Sequence, residues 1–425
     1  MQRRGSVWGR RRGLPASVAA LVGASGLAVS CASFRSDGAG ASSDASTDSL
    51  AGGDDAQASA DGPGESAALD AATVREAGGA GDAGAAGDSG VCTESTCPTT
   101  TVLSGLCGPA ALAVDASYVY WLEVGSMIPQ AGGSGQLVRL RKGSSCVDRS
   151  CVEVIDPSAL SGTFEGQLIY DNQLTVGADD VCESQSFNAQ AQHQISCFPL
   201  TSLAQLVIDQ DYGDCDGLWL GPGSIAWSLA STAATSSDGS IRIRPIAATD
   251  GGAAPMIASG RPNPTSVLAD GAGTVWSESG LADAGGAVMV AAADGGVSAL
   301  VARRGSPVAV AGYGGYVYWI DAQARTVLRV ARSGSGAVEP IANTDDNPFA
   351  LVVDGTGVYW AAAGLTPPDG SVAHAPLVPG GPTAVMMSSV VGIQALAMDA
   401  AQVFVAAVGP TVNGGGSIVA MNKSR

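Results

Sequence analysis

The sequence predicts an all-β fold, preceded by an export signal and a flexible linker. A ten-residue phrase, LAVDASYVYW at 112–121, recurs as LVVDGTGVYW at 351–360. Each copy is a short apolar run, a turn residue and an aromatic-rich run, the pattern of two antiparallel strands joined by a tight turn. The 59 glycines and the charged fraction of only 14% also favour a turn-rich β protein over a helical bundle.

Weaker copies of the phrase divide the chain at intervals of 41 to 56 residues. The seven copies end at Trp121, Gly177, Trp227, Trp276, Trp319, Trp360 and Val405. Each is followed by a third strand and most by a fourth, and a period of about 40–50 residues is typical of propeller blades. The sequence therefore predicts a β-propeller of seven four-stranded blades. A six-bladed ring with a divergent insertion around 160–215 is the alternative, because the second copy is the weakest.

The seventh repeat lacks a fourth strand of its own. A candidate for the missing strand is TTTVLSG at 99–105, which precedes the first phrase as AVEPIAN at 337–343 precedes the sixth. We expect this N-terminal strand to complete the last blade, because such closure leaves no sheet edge free at the ends of the ring.

Two residues recur within the phrase, and we expect both to be structural. Asp115, Asp270, Asp354 and Asp399 stand at the turn, where a short carboxylate accepts a local backbone amide and favours the reversal. The tryptophan that ends the second strand in five of the seven copies has the area to wedge between neighbouring sheets. Ligand-binding carboxylates and sugar-stacking tryptophans are the alternatives.

The N-terminus has the pattern of a lipoprotein signal peptide over residues 1–30. A basic head precedes the apolar run from Leu14 to Val29, which is too short to span a bilayer. The run ends in LAVSC, which resembles the lipobox of bacterial lipoproteins, so Cys31 is the predicted lipidation site. An ordinary secretory signal with an incidental cysteine is one alternative, and a twin-arginine signal at Arg11-Arg12 is another.

Residues 31–91 are predicted to be a disordered tether rich in Ala, Gly, Ser and Asp, and residues 92–425 to be the propeller domain. The segment 32–91 holds 11 acidic and two basic residues, half of the net charge of −18. With few large apolar side chains it cannot offset the entropy of ordering. We therefore expect a solvated spacer between the lipid and the folded domain.

Eight cysteines remain after Cys31, and an even number in an exported chain predicts disulfides. The best candidates are Cys146 with Cys151, which flank a turn, and Cys182 with Cys197, which bracket the loop between second and third strands of the second repeat. Cys92 with Cys97 and Cys107 with Cys215 is a guess for the remaining four.

One acidic stretch is a candidate metal site. The stretch DQDYGDCDG at 209–217 gathers four carboxylates that could ligate Ca²⁺, namely Asp209, Asp211, Asp214 and Asp216. Its spacing departs from the known calcium-loop pattern, and a solvated acidic loop is the alternative. We expect no other cofactor. His193 and His374 fall in or beside third strands, where a structural or surface role is expected.

The repeat as a whole resembles the NHL-like and TolB-like β-propellers of bacteria, specifically those found in repeat-bearing envelope lipoproteins. The resemblance covers residues 99–425. It implies the fold and an exported, lipid-anchored protein of the bacterial envelope, with the outer membrane as the expected location. Related propeller hydrolases use a ring of carboxylate, Asn or His around a channel-bound metal, and that ring cannot be assembled from this sequence.

The favoured function is a non-enzymatic binding or scaffold protein that holds an unknown protein or glycan at one rim of the propeller. A hydrolase or lyase with a metal in the central channel is the alternative, so enzymatic activity is left open. The net charge of −18 repels a phosphate backbone, which argues against nucleic acid as a partner. The predicted membrane contact is through the lipid on Cys31.

Overall fold

A computed structural model describes thirteen ranges of the chain. They are 98–123, 135–146, 148–160, 173–187, 192–231, 236–247, 254–281, 285–292, 294–302, 305–345, 347–364, 368–410 and 415–423. All of them belong to one compact unit. The predicted signal peptide, the lipidation site at Cys31 and the tether lie outside the described residues. Within the described ranges there is no helix of the length and hydropathy that a membrane span requires.

The described chain is almost entirely β. Short apolar runs separated by Gly, Asp and Asn form strands because these residues punctuate the pattern with turns. The strands in chain order are β1 (Thr100–Leu106), β2 (Pro109–Val114), β3 (Tyr118–Glu123), β4 (Gly135–Arg141), β5 (Glu153–Leu160), β6 (Gln173–Val176), β7 (Asp180–Phe187), β8 (Gln192–Pro199), β9 (Leu206–Tyr212), β10 (Cys215–Gly221), β11 (Ser224–Leu229), β12 (Gly239–Pro245), β13 (Met256–Arg261), β14 (Pro264–Asp270), β15 (Gly273–Glu278), β16 (Ala287–Ala291), β17 (Val297–Val301), β18 (Pro307–Tyr313), β19 (Tyr316–Asp321), β20 (Thr326–Ala331), β21 (Glu339–Asn343), β22 (Pro348–Asp354), β23 (Gly357–Ala362), β24 (Gly370–Ala375), β25 (Ala384–Val390), β26 (Ile393–Met398), β27 (Gln402–Ala407) and β28 (Gly416–Asn422). A 3₁₀ turn at Arg149–Cys151 precedes β5.

The strands form seven antiparallel sheets of four, so the seven-bladed prediction is confirmed over the six-bladed alternative. Blades 1 to 7, each given from its first strand outward, are β2-β3-β4-β5, β6-β7-β8-β9, β10-β11-β12-β13, β14-β15-β16-β17, β18-β19-β20-β21, β22-β23-β24-β25 and β26-β27-β28-β1. The first strands of successive blades contact one another around the ring. They therefore surround the central channel, and the fourth strands form the perimeter.

Strand β1 closes the ring, as the sequence predicted. It pairs antiparallel with β28, with Thr100 opposite Ala420 and Leu106 opposite Gly416. Blade 7 thus combines three strands from the end of the chain with one from the start of the described residues. Because this strand occupies the perimeter position, the sheet of blade 7 is as wide as the other six.

The second repeat does not end at Gly177, and that prediction is wrong. Leu174 of β6 pairs with Glu183 of β7, as Leu112 of β2 pairs with Trp121 of β3. The second copy is therefore LTVGADDVCE at 174–183. This copy lacks both marker residues, because a glycine replaces the turn aspartate and a glutamate replaces the tryptophan.

The repeated tryptophans are core residues, which confirms their structural interpretation. Trp121, Trp227, Trp276, Trp319 and Trp360 are all at most 1% exposed. Each packs toward the preceding blade, as when Trp227 of blade 3 joins a cluster with Cys182 and Ile195 of blade 2. A large apolar side chain at this position fills the wedge between two sheets and removes it from water.

Antiparallel order defines two faces of the ring. The turns between first and second strands lie on the same face as the connections between third and fourth strands, which we name the turn face. The loops between second and third strands and the connections from one blade to the next lie on the other, which we name the loop face. The first-to-second turns are only two or three residues long, as at 271–272 and 399–401.

The repeated aspartates hold these turns. Asp270, Asp354 and Asp399 each accept the backbone N–H two residues later, at 2.8–2.9 Å. Asp115 accepts the N–H groups of Ser117 and Tyr118, both at 2.6 Å. The free oxygen of the carboxylate is then available for a second partner, which the sequence did not predict.

That second partner is a basic side chain from the following blade in three of the four cases. Lys142 of blade 1 reaches Asp399 of blade 7 at 2.5 Å, Arg332 of blade 5 reaches Asp270 of blade 4 at 2.6 Å, and Lys423 of blade 7 reaches Asp354 of blade 6. Each basic residue directly follows the third strand of its blade. These inter-blade clasps tie the turn face together, and two of them flank the closing blade.

Candidate functional site

The loop-face end of blade 2 carries an exposed aromatic residue beside carboxylates. Strand β9 ends in Asp209, Gln210, Asp211 and Tyr212. Tyr212 is 63% exposed, and the side chain of Asp211 is 41% exposed. We name Asp209, Asp211, Tyr212, His193 and Arg242 the blade 2–3 rim site. It combines a large, stiff apolar surface with hydrogen-bond acceptors at the edge of the ring.

Arg242 fixes the two carboxylates from the neighbouring blade. Its Nη1 lies 3.2 Å from Oδ2 of Asp209 and its Nη2 lies 2.8 Å from Oδ2 of Asp211. Asp209 and Arg242 are 9% and 14% exposed, so this bridge is largely shielded from water and salt. Although burial opposes the shift, the backbone N–H of Tyr212 and the Arg242 guanidinium lower the pKa of Asp211. Asp211 is therefore an anion at neutral pH.

His193 supports the same arrangement from beneath. Its ring is fully buried on β8, with Nδ1 3.0 Å from the carbonyl oxygen of Gly213 and Nε2 3.3 Å from Oδ2 of Asp209. Both ring nitrogens therefore face oxygen atoms, one on the main chain and one on a side chain. With no exposed surface, His193 positions Asp209 and Gly213 instead of meeting a ligand.

The four calcium candidates do not converge. Asp209 and Asp211 face Arg242, Asp214 lies in the connection to blade 3, and Asp216 lies on the first strand β10. Among the described residues no three His, Cys, Asp or Glu side chains are grouped so as to hold a metal ion. Calcium binding stays a prediction, and a guanidinium engages two of its four proposed ligands.

The central channel is bordered mainly by small and aliphatic side chains. The first strands β2, β6 and β26 contain no ionisable residue. Of the carboxylates on the other first strands, Asp270 and Asp354 belong to the turn-face clasps and Asp216 lies nearer the loop face.

His374 lies on the third strand β24, where burial lowers its pKa and Nε2 lies 3.3 Å from the carbonyl oxygen of Thr356.

The other side of blade 2 is also polar, but it is buried. Glu183, which occupies the tryptophan position, is 0% exposed and faces blade 1. Its Oε1 accepts from Nε2 of Gln185, and its Oε2 has no hydrogen-bond partner among the described residues. Ser196, opposite Glu183 on β8, accepts from Gln194 at 2.9 Å and from Gln205 at 3.2 Å. We name this cluster, with Asp156 of β5, the blade 1–2 junction.

The structure contains both disulfides that the spacing favoured. Cys182 and Cys197 join β7 to β8, and Cys146 and Cys151 close the turn before β5. The guessed pair Cys107 with Cys215 is wrong, because Cys107 is in a disulfide while Cys215 is a buried thiol whose Sγ lies 3.6 Å from the carbonyl oxygen of Gly217. Cys92 and Cys97 lie outside the described residues.

Comparison with known proteins supports the fold. No family model matches the chain, and no curated protein matches it. Among solved structures, streptogramin B lyase aligns with a TM-score of 0.52 at 10% identity, over 77% of this chain and 97% of the lyase. A catalytically inactive virginiamycin B lyase from Staphylococcus aureus with quinupristin aligns with a TM-score of 0.50 at 12% identity, over 77% and 98% of the two chains.

At such low identity these alignments show the fold alone. The chain is a seven-bladed β-propeller with buried polar side chains on both sides of blade 2, toward blade 1 and toward blade 3. Sequence reasoning had placed Asp209 and Asp211 near a site but had assigned no role to Arg242, Tyr212 or Glu183. Only Glu183 carried a detectable signal, because an alignment of all seven copies at a constant length of ten residues puts it in the tryptophan column.

Proposed function

We propose that this chain is an exported, lipid-anchored β-propeller of the bacterial envelope, acting as a non-enzymatic binding or scaffold protein that holds a protein or glycan at its loop face. The observation that carries the proposal is Tyr212. Tyr212 is the most exposed aromatic side chain of the described residues, and tyrosine is enriched in recognition surfaces. Tyr212 directly follows Asp211 at the end of β9, and Arg242 holds Asp209 and Asp211 in place.

The chemistry of the blade 2–3 rim site suits such a partner. A tyrosine ring stacks on the apolar face of a sugar or packs against a protein side chain, while Asp211 accepts hydrogen bonds from hydroxyl or amine groups. Because Arg242 and His193 order the carboxylates before binding, little conformational entropy is lost when a partner arrives. The acidic tether would hold the folded domain about 40 Å from the lipid on Cys31.

Affinity capture from native envelope extract tests the proposal, with the purified chain as bait and bound protein and carbohydrate identified by mass spectrometry. We expect a saturable partner that Tyr212→Ala loses by about tenfold or more in affinity. Tyr313→Ala is the matched control, because Tyr313 is 42% exposed but ends β18 on the turn face. Capture with and without Ca²⁺ tests the calcium prediction in the same experiment.

Equal capture by wild type and Tyr212→Ala would contradict the proposed surface. No saturable partner under any condition would contradict the binding role. For the anchor, Cys31→Ala should move the protein from the membrane fraction to the soluble fraction, and its retention in membranes would refute attachment through this lipid.

A further inference from the structure

The blade 1–2 junction places a carboxylic acid where the repeat places tryptophan. Five blades fill this position with a tryptophan at most 1% exposed, and blade 2 fills it with Glu183 at 0% exposure. We propose that this junction is a pH-sensitive switch, in which Glu183 holds a proton while the blades are closed and loosens their packing when it ionises.

Within the described residues, the contacts of Glu183 leave one of its two carboxyl oxygens without the hydrogen bonds that an ionised carboxylate needs, although the bond from Gln185 by itself lowers the pKa. Gln185 donates to Oε1, and Oε2 is buried without a partner. An unpaired buried carboxylate oxygen is costly as an anion because nothing replaces its lost hydration, whereas a neutral acid avoids most of that cost. The two nearby amides point elsewhere, since Gln194 and Gln205 both donate to the hydroxyl oxygen of Ser196, and Nε2 of Gln205 also lies 3.5 Å from Oδ2 of Asp156.

The charged groups facing Glu183 reinforce this state. From blade 1, Asp156 on β5 is 5% exposed and bears the same charge. Its Oδ2 lies 3.5 Å from Nε2 of Gln205. The other titratable groups on that side also have partners, because Glu153 pairs with Arg139 at 2.8 Å and Tyr120 donates to Asp115 at 2.7 Å. On blade 2, His193 and Asp209 contact each other and lie with Arg242 on the opposite junction. Burial first, and Asp156 second, raise the pKa of Glu183 well above its usual range.

The direction of the pH effect follows from linkage. Below the pKa of an unfolded glutamate, about 4.3, both states carry the proton and the junction has its full strength. As the pH rises further, the unfolded chain releases its proton and the folded chain keeps it. Stability is therefore lost with rising pH, by up to about tenfold in the unfolding equilibrium constant per pH unit, until the folded-state pKa is passed.

Strands β5 and β7 both run toward the loop face, so looser packing between blades 1 and 2 should extend to the loop-face ends of these strands. The expected signature is faster amide hydrogen exchange in β5 and β7 at higher pH, with blades 4 to 6 unchanged. The intrinsic rate of amide exchange also rises with pH. The exchange rates in β5 and β7 are therefore compared with those in blades 4 to 6, which serve as a reference within the same molecule.

The test is urea unfolding of wild type and Glu183→Gln between about pH 5 and pH 8. Glutamine keeps the shape of the neutral acid but cannot ionise, so the ratio of the two unfolding constants should grow by more than about tenfold in favour of the variant. Glu339→Gln is the matched control, because Glu339 is 42% exposed and pairs with Arg329. Its pH dependence should follow wild type.

Asp156→Asn provides a second, independent variant. Removing the negative charge of Asp156 should lower the pKa of Glu183 in the folded protein, so the loss of stability should end at a lower pH than in wild type. Glu183→Gln should abolish this loss of stability. A constant ratio between wild type and Glu183→Gln across the pH range would overturn the proposal, as would pH-independent exchange in β5 and β7. A pH dependence that Glu183→Gln leaves intact would overturn it too, since the titrating group would then lie elsewhere.

Discussion

The two junctions that flank blade 2 each place a largely buried aspartate against the next blade, but the partners of the two aspartates differ. Asp156 on β5 and Asp209 on β9 occupy equivalent places, opposite Leu137 and Ile195 on the adjoining third strands. Asp209 meets the guanidinium of Arg242 from blade 3. Asp156 faces the side of blade 2 that carries Glu183. The position of blade 2 that is equivalent to Arg242 of blade 3 is occupied by Ser196.

The difference shows how a repeat fold accommodates polar residues between its blades. At the blade 2–3 rim site, the guanidinium of Arg242 pairs with two carboxylates and a buried histidine contacts one of them. At the blade 1–2 junction, two acids share one buried layer and a proton takes the place of the missing cation. Removing a charge from the blade 2–3 rim site should therefore lower the free energy of unfolding. Removing the ionisable group of Glu183 from the blade 1–2 junction should raise it.

The largest effect should come from breaking the matched junction. Arg242→Ala leaves Asp209, which is 9% exposed, without its guanidinium, and we expect a loss of about 4 kcal/mol in the free energy of unfolding. Urea denaturation at neutral pH measures it. Glu153→Gln, which breaks a pair whose carboxylate is 53% exposed, should cost less than about 1 kcal/mol. Similar losses for both variants would show that burial of the pair is not what matters.

The disulfide between the two junctions should rank next. Cys182 and Cys197, separated by 15 residues, face blade 3, while their sequence neighbours Glu183 and Ser196 face blade 1. Replacing both cysteines by alanine should cost about 3 kcal/mol, because the unfolded chain regains loop entropy. The pH dependence from Glu183 should persist in this variant, which separates connectivity from charge. Its disappearance would mean that the disulfide holds the blade 1–2 junction closed.

A turn-face clasp should respond to pH in the opposite sense. Although burial opposes the shift, Lys423 and Thr356 lower the pKa of Asp354. The stability from this clasp is therefore present above the unfolded pKa of about 3.9 and lost as the pH falls through the folded value. Lys423→Met, at a side chain 3% exposed, should cost about 2 kcal/mol at neutral pH and progressively less in acid. A loss that is constant down to about pH 2 would contradict the ion pair.

The smallest effect should come from making the two junctions alike. Ser196→Arg puts a guanidinium at the place that Arg242 occupies in the next blade. We expect the weakening between about pH 5 and pH 8 to flatten, with a gain of about 1 kcal/mol at neutral pH. The pH slope is the measured quantity, since a larger side chain also perturbs packing. An unchanged slope would show that the introduced charge does not reach Glu183.

The repeat architecture was readable from the sequence, because blade structure is written locally. A turn aspartate six places before a tryptophan reports a two-strand hairpin, and the closing strand at 99–105 was found by its place relative to the next phrase. The second blade could not be placed correctly in this way, because its Gly177 and Glu183 replace the turn aspartate and the tryptophan. Pattern matching finds a repeat by its conserved letters and is weakest where a blade has diverged.

The sequence by itself determined the all-β class, the repeat period, the closing strand and the two disulfides, since each depends on spacing along the chain. The tertiary structure decided which side chains meet across blades. Lys142 and Asp399 are 257 residues apart, and Arg242 and Asp209 are 33 apart. Such pairs leave no periodic mark, because they depend on how far neighbouring sheets rotate about the ring. The charge of Glu183 is decided in the same way, by burial and by an acid on another blade.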